Sequence, residues 1–402
     1  MVDVSTLKQL IADENIPALR QFLIDNDLII KDGKVFAKES QSPKKWADHF
    51  DRLQMATKIN LNALYGCILN SSSRFYDKRI GQSVTLSGRL ICRHMNSFVN
   101  ECITGKYAID GEAVIAADTD SAQFSAWPII KPMVMAKQCE WNQEKAVELY
   151  LAIGEKVNKS FTPFMKNAFN CAGQFGELIK GSCESVGRRG LYITKKRYAI
   201  LNYYKDGVWY KPDNLKLKAM GLDLRRSDTP EICQVFLKDI LMDLLNGEGE
   251  DKLIEKINNF KIKFKALPLH EQGTPKRVNK LTYYADLINR GKGNRVPGHV
   301  RAAVHWNELR KMNNDNVHTR IVDGMKCIVC PLKPNALGMT NIAYPTDEAH
   351  LPDWFIRLPF DTDLMIASVV DKKIENLLGK LPNWKNISEG TRKVNTFSDF
   401  FD

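Results

Sequence analysis

The 402-residue chain contains no run of roughly 18 uncharged apolar residues, so nothing in it reads as a membrane-spanning helix. Asp3, Lys8 and Asp13 interrupt the opening segment, which sets aside a secretory leader there. No internal repeat and no low-complexity segment occurs, which argues against repeat architectures. Cysteine is present but not arranged as a framework. The nine cysteines are scattered and odd in number, so they are expected to be reduced, in a cytoplasmic compartment. One CxxC, Cys327 and Cys330 in MKCIVCPL, lacks a second pair or a histidine at ligand spacing. The alternation of apolar residues around it predicts a plain strand.

What the chain does have is charge of one sign and enough apolar residues for a substantial core. Hydrophobic residues make up 44% of it, enough for two or three subdomains. The formal net charge is +11 and the pI about 9.1. That balance fits a polyanionic partner, most simply nucleic acid, although solvated lysines on an ordinary enzyme give the same sum.

The coarse pattern predicts an α+β chain. Residues 4–28 read as one or two short amphipathic helices broken near Pro17. LIIKDGKVFAK reads as a hairpin turning at Asp32-Gly33. Ser42 and Pro43 then mark the start of a helix of about 28 residues, reaching Asn70. Its apolar residues Trp46, Phe50, Leu53, Leu61, Leu64 and Ile68 recur at three and four, with one longer gap, and Leu61, Leu64 and Ile68 are expected to pack inward. A second helix is expected over 83–104, ending at Gly105. After it come a buried acidic hairpin and a helical stretch over 143–170. A hairpin with its turn at Asp206-Gly207 follows, then mostly helix from Pro230 to about 266, and a basic loop, NRGKGNRVPGHVR, at 289–301.

Three stretches carry chemistry. In AVIAADTDSAQFSA, residues 113–126, Asp118 and Asp120 stand two apart at a hairpin tip. Paired carboxylates with oxygen-only surroundings suit Mg²⁺, and a two-metal site serves phosphoryl transfer, but a hydrated acidic turn has the same pattern. In KINLNALYG, residues 58–66, Lys58, Asn62 and Tyr65 fall at i, i+4 and i+7 and so share a helix face. An ammonium, an amide and a ring on one stripe suit a nucleotide; a solvated face is the plainer alternative. In TKKRYA, residues 194–199, three consecutive cations read as strand, with Lys195 and Arg197 on one face and Lys196 on the other. Beside Tyr192, Tyr198 and Tyr203 they suit a nucleic-acid track, or else a charged edge strand.

Taken in order, these stretches resemble the motifs of family B DNA polymerases. KINLNALYG is similar to KxxxNSxYG, DTDS to the end of YxDTDS, and KKRYA to the motif of the same letters. SRFYDKRIGQSVTLSGRLI resembles RYYDxRxAxAITxxGQ. MGLDLRRSDTP resembles the segment leading into the thumb, and GHVRAAVHWN and IVCPLKPNALGMTNIAYP resemble thumb sequences of T-even-type phage polymerases. The resemblance runs from about residue 43 to the end. It implies a right-hand architecture: part of the helical fingers at 1–70, a palm with antiparallel sheet at 71–221, a mostly helical thumb at 222–395 and a tail at 396–402.

The resemblance also implies roles. Asp120 matches the metal-binding aspartate and Asp118 its less essential neighbour, with two Mg²⁺ ions as cofactor. Glu177, in FGELI, is a looser match to a further palm carboxylate. Lys58 matches the lysine that meets the incoming dNTP and acts as general acid. Asn62 lies beside it, and Tyr65 and Gly66 match the pocket under the nascent base pair. Lys195, Lys196, Arg197 and Tyr198 match residues holding primer-template DNA. The tail TFSDFFD resembles a sliding-clamp-binding end, with Phe397, Phe400 and Phe401 as the docking groups. Ala63, Ala117, Ala122 and Gln123 depart from the family pattern around these motifs.

No DxxSLYPS motif, source of the second essential aspartate, occurs in residues 1–57, and neither the first finger helix nor the DxE of a 3′-5′ exonuclease is present. The expectation is therefore the C-terminal subunit of a split polymerase. An N-terminal partner would carry the exonuclease, the first palm aspartate and the rest of the fingers. The alternatives are an engineered fragment, a piece of a cellular family B enzyme, and a non-catalytic DNA-binding replisome scaffold.

Overall fold

The computed structural model describes residues 4–26, 28–31, 34–37 and 43–398. It divides into two compact units, Met1–Ile91 and Cys92–Asp402, each with its own internal packing. All strand pairings among the described residues are antiparallel, and helices outnumber strands, so the chain is α+β as the pattern predicted.

In the first unit, α1 (Val4–Ala12) and α2 (Ile16–Asp25) precede a small hairpin, β1 (Leu28–Lys31) with β2 (Lys34–Ala37). The two helices break at residues 13–15, near Pro17 as expected; Pro17 itself lies in the first turn of α2, where its missing N–H costs nothing. The cap is Asn15, whose side chain accepts from the Ala18 N–H at 3.2 Å. The expected turn at Asp32-Gly33 and the expected cap Ser42 lie outside the described residues. The long helix is there: α3 spans Pro43–Leu69. Its apolar face is not packed as expected, because Leu61 (64%) and Leu64 (57%) are exposed, together with Trp46, Phe50 and Leu53. No side chain described on α3 is buried.

The second long helix, α4 (Lys78–Thr104), starts five residues earlier than its apolar pattern suggests. Asp77 is the reason: its carboxylate accepts from the Arg79 N–H at 2.8 Å and the Ile80 N–H at 3.4 Å. Those bonds, with the Arg79 guanidinium foremost, hold its pKa below the usual carboxylate value.

The second unit opens with the C-terminal turns of α4 and the two-stranded sheet of β3 (Val114–Asp118) and β4 (Ser121–Phe124). Then come α5 (Trp127–Met135), which buries none of its residues, and α6 (Gln143–Phe169). A four-stranded sheet follows, built from β5 (Ser185–Thr194), β6 (Arg197–Lys205), β7 (Val208–Trp209) and β8 (Lys216–Met220), with β6 central. Its inner face packs on α7 (Glu231–Asn246) and α8 (Glu250–Lys265). A π-helical stretch, Ile366–Asp371, continues into α13 (Lys372–Leu378); with α14 (Trp384–Ser398) these close a core around Leu201, Ile240, Ile257, Phe264 and Leu378. A separate core forms where α9 (Leu281–Asn289) and α10 (Gly298–Met312) meet a three-stranded sheet. That sheet joins β9 (Thr274–Arg277), β10 (Lys326–Pro331) and β11 (Asn341–Pro345); Phe355 of α11 (Asp353–Ile356) and Trp306 are fully covered, and Met365 of α12 (Thr362–Met365) joins them. Cys327 and Cys330 lie buried on β10, which is the plain strand expected there.

Candidate active site

Asp118 pairs with Ser121 across the β3–β4 hairpin, which leaves Thr119 and Asp120 as a two-residue turn. The Asp120 N–H bonds the Asp118 carbonyl only two residues back, at 2.7 Å, and Thr119 takes φ +55°. A β-branched residue rarely adopts that conformation, so the surroundings must hold it. Two side-chain bonds close the knot: Thr119 Oγ1 donates to Asp118 Oδ1 (3.2 Å), and Ser121 Oγ donates to the Asp118 carbonyl (3.1 Å). The result sends both carboxylates outward at an exposed tip. The hairpin is less buried than its apolar flanks imply. Ile115 is exposed, because neither strand of this two-stranded sheet has a further partner among the described residues.

α4 holds the hairpin at both ends. At the tip, Cys92 Sγ donates to the Thr119 carbonyl at 2.8 Å. Burial, with the charge of Asp120 adding to it, pushes the Cys92 thiol pKa up, so it stays a protonated donor. At the base, fully buried Asn100 donates to the Ala108 carbonyl (2.9 Å) and accepts from the Ala113 and Val114 N–H groups (3.1 and 3.3 Å). Cys92 and Asn100 lie eight residues apart, about 12 Å along one helix. Neither stood out in the sequence: both look like ordinary members of an amphipathic helix.

The second hairpin brings cations to this tip. Thr194 pairs with Arg197, so Lys195 and Lys196 are a two-residue turn and not a strand segment, and only Arg197 lies on β6. Lys196 takes φ +62° and reaches Asp118, Nζ to Oδ1 at 3.4 Å. Lys195 is exposed and has no ion-pair partner among the described residues. Asp206-Gly207 is also a tight turn, but it joins β6 to β7. Tyr198 is half-buried, stacked on Tyr192 with ring centroids 5.6 Å apart, and burial pushes the Tyr192 phenol up to about 12. Arg197 points elsewhere: its guanidinium donates to the Gly221 and Asn376 carbonyls and faces buried Asp223.

Glu177 is exposed on the turn after the short 3₁₀ segment Gly173–Phe175. Among the described residues no three Asp, Glu, His or Cys side chains come together closely enough to share a metal ion, so Glu177 does not join Asp118 and Asp120 in such a cluster. In the first unit, continuous α3 sets Lys58, Asn62 and Tyr65 along one stripe. Lys58 and Asn62 are exposed, while half-buried Tyr65 directs its hydroxyl to the Gly81 carbonyl at 3.5 Å. A Cβ added at Gly66 would meet nothing within 4 Å. Phe397 falls in the last turn of α14, whereas Phe400 and Phe401 lie outside the described residues.

The described residues thus hold an acidic turn facing a basic turn, with a lysine–amide–tyrosine stripe on a helix earlier in the chain. The DNA polymerase family B domain matches residues 31–281, more than half of the chain, and the chain belongs to that family. It is similar to the DNA-directed DNA polymerase of Enterobacteria phage T4, 28% identical over 310 residues, which is 73% of this chain and 33% of the relative. Its similarity to that of Escherichia phage RB69 is 28% over 302 residues, with the same shares. The DNA polymerase alpha catalytic subunit of Arabidopsis thaliana is 26% identical over 251 residues, covering 62% of this chain and 14% of the relative. The chain thus spans about a third of the length of the phage relatives it matches. Among the described residues no helix is long and apolar enough to cross a membrane.

Proposed function

We propose that this chain is the C-terminal part of a DNA-directed DNA polymerase and extends a primer only together with a partner polypeptide. The observation that carries the catalytic reading is the outward-facing Asp118–Asp120 tip inside the segment that matches the family. Two exposed carboxylates offer hard oxygen donors of the kind Mg²⁺ takes, with Asp120 as the ligand and Asp118 its neighbour. When bound, such ions supply charge stabilisation to the attacking and leaving oxygens of phosphoryl transfer. Lys58 is assigned to the triphosphate and to proton delivery to the leaving group, Asn62 to the same stripe, and Tyr65 and Gly66 to the floor under the nascent pair. Lys195 and Lys196 are assigned to the primer-template backbone, where their charge releases counterions.

Two observations support a partner. Two tip carboxylates without a third ligand nearby are too few to hold two ions. On α3 the stripe Trp46, Phe50, Leu53, Leu61 and Leu64 is apolar and uncovered over about 27 Å. α5, WPIIKPMVM, adds a second apolar element that buries none of its residues. A chain carrying the missing palm aspartate and the other finger helix would complete the first and cover the second. On this reading residues 1–70 belong to the fingers, 71–221 to the palm, 222–395 to the thumb and 396–402 to a clamp-binding tail.

The test is primer extension by the purified chain, with and without a co-expressed N-terminal polymerase polypeptide bearing DxxSLYPS. Synthesis should require both chains, and Asp120→Asn should abolish it while leaving duplex binding largely intact. Brisk synthesis by this chain alone overturns the partner requirement. Full activity of Asp120→Asn in the complex overturns the metal assignment.

A further inference from the structure

The third cation of the KKR run, Arg197 at the start of β6, already has two of its guanidinium nitrogens engaged inside the fold. Arg197 Nε donates to the Gly221 carbonyl at 3.3 Å, and Nη2 donates to the Asn376 carbonyl at 3.4 Å. The same Nη2 faces Asp223 Oδ2 at 3.9 Å. Asp223 is itself buried and heavily used. Lys373 Nζ sits at 2.9 Å from Oδ1, Asn376 Nδ2 donates to Oδ2 at 3.0 Å, and Arg226 approaches Oδ1 at 3.7 Å. Gly221, at φ +63°, lets the turn seat closely, since a Cβ there would run into the Lys196 carbonyl. A chain of contacts therefore leads from α13 through Asp223 and Arg197 to the Lys195–Lys196 turn, and from Lys196 to Asp118.

We infer that Arg197 and Asp223 are positioning residues for the Lys195–Lys196 turn: Arg197 acts as a strut and makes no phosphate contact, and a buried carboxylate sets the affinity for duplex DNA. The inference rests on the DNA-binding reading above. The charges argue for it. A planar fork donating to two carbonyls and facing a carboxylate cannot be replaced by a point charge, whereas a phosphate contact largely can. Asp223 carries negative charge close to a surface assigned to a polyanion, which on Coulomb grounds alone weakens binding. Its burial with three cationic neighbours makes sense when its task is to hold one of them still.

The experiment is fluorescence anisotropy of a labelled primer-template duplex with the purified chain, at several salt concentrations. Arg197→Lys keeps the charge and breaks the fork. It should weaken binding by roughly tenfold and lower the salt slope by about 0.9 for each displaced lysine contact, although no charge has been removed. Asp223→Asn should also weaken binding, against the Coulomb expectation, and the double variant should be no worse than the weaker single. Lys195→Ala gives the reference slope change of one lost contact. Wild-type affinity and slope in Arg197→Lys overturn the inference, as does tighter binding by Asp223→Asn or multiplicative losses in the double variant. If Asp223→Asn fails to fold, Arg197→Lys alone decides, because its side chain is partly exposed and its charge is kept. A wild-type chain that binds no duplex refutes the DNA-binding reading, a result distinct from any of these.

Discussion

The base of the acidic hairpin hangs on one side chain, and that makes a sharp prediction. Asn100 is fully buried and serves the Ala108 carbonyl and the Ala113 and Val114 N–H groups. Asn100→Ala leaves the buried Ala113 N–H and the Ala108 carbonyl without partners. At about 1–3 kcal/mol for each group left unsatisfied, the cost should be roughly 2–6 kcal/mol, with water entering the gap favouring the lower end. Gly111 offers an independent route to the same defect. A Cβ there would run straight into the Asn100 amide, so Gly111→Ala must expel Asn100 from its seat and should cost a similar amount. Once Asn100 is already alanine, the three atoms nearest the added methyl are gone, and Gly111→Ala should then cost well under about 1 kcal/mol. The cycle should thus be strongly non-additive. Native-state hydrogen exchange at the Ala113 amide reads it locally, because that amide opens with the hairpin and not with the whole chain. Additive losses, or a silent Gly111→Ala, would show that the hairpin base is held by something other than Asn100.

Other consequences follow from the same geometry. His94 accepts from the Tyr107 hydroxyl and donates to Ser160 Oγ, since that hydroxyl in turn donates to the Val157 carbonyl. Burial, here also against Phe164, holds its pKa below the ordinary histidine value. The folded state therefore favours the neutral ring. Its contribution is complete above the unfolded value near 6.5 and is lost as pH falls through the lowered folded value. Denaturation midpoints should drop between pH 7.5 and pH 5.5 more for wild type than for His94→Gln; equal drops would refute this. On α3, replacing Leu61 and Leu64 with Gln should leave the helix content of the isolated chain unchanged, because neither is buried, yet weaken capture of the N-terminal polypeptide at least tenfold. Unchanged capture would exclude that stripe from the interface. Deleting residues 396–402 should reduce clamp-dependent processivity and spare distributive synthesis by the reconstituted complex. Equal loss of both would make the tail structural.

Which features the sequence disclosed follows from how local their causes are. α3 appears where a 3.6-residue apolar period announces it, α6, α7 and α8 fill the stretches read as helical, and Asp206-Gly207 is a turn because both residues tolerate positive φ, at 48° and 85°. The acidic tip was visible as a pair of aspartates between two apolar runs. The Lys195–Lys196 turn was not, since neither lysine marks a turn. Lys196 is held at positive φ beside Gly221, whose missing side chain, 25 positions along, makes room for its carbonyl. Arg197 reads as one more cation in a row, and its fate is set by a carbonyl 179 residues away. The exposed stripe on α3 is the converse case. The apolar period predicts an inward-packed face, yet Leu61 and Leu64 stand exposed among the described residues. A period says that a face must be covered; it does not say by which polypeptide. Under the proposed function the uncovered face and the short carboxylate set have one explanation: a polypeptide segment bearing a finger helix and a palm aspartate would cover the first and complete the second.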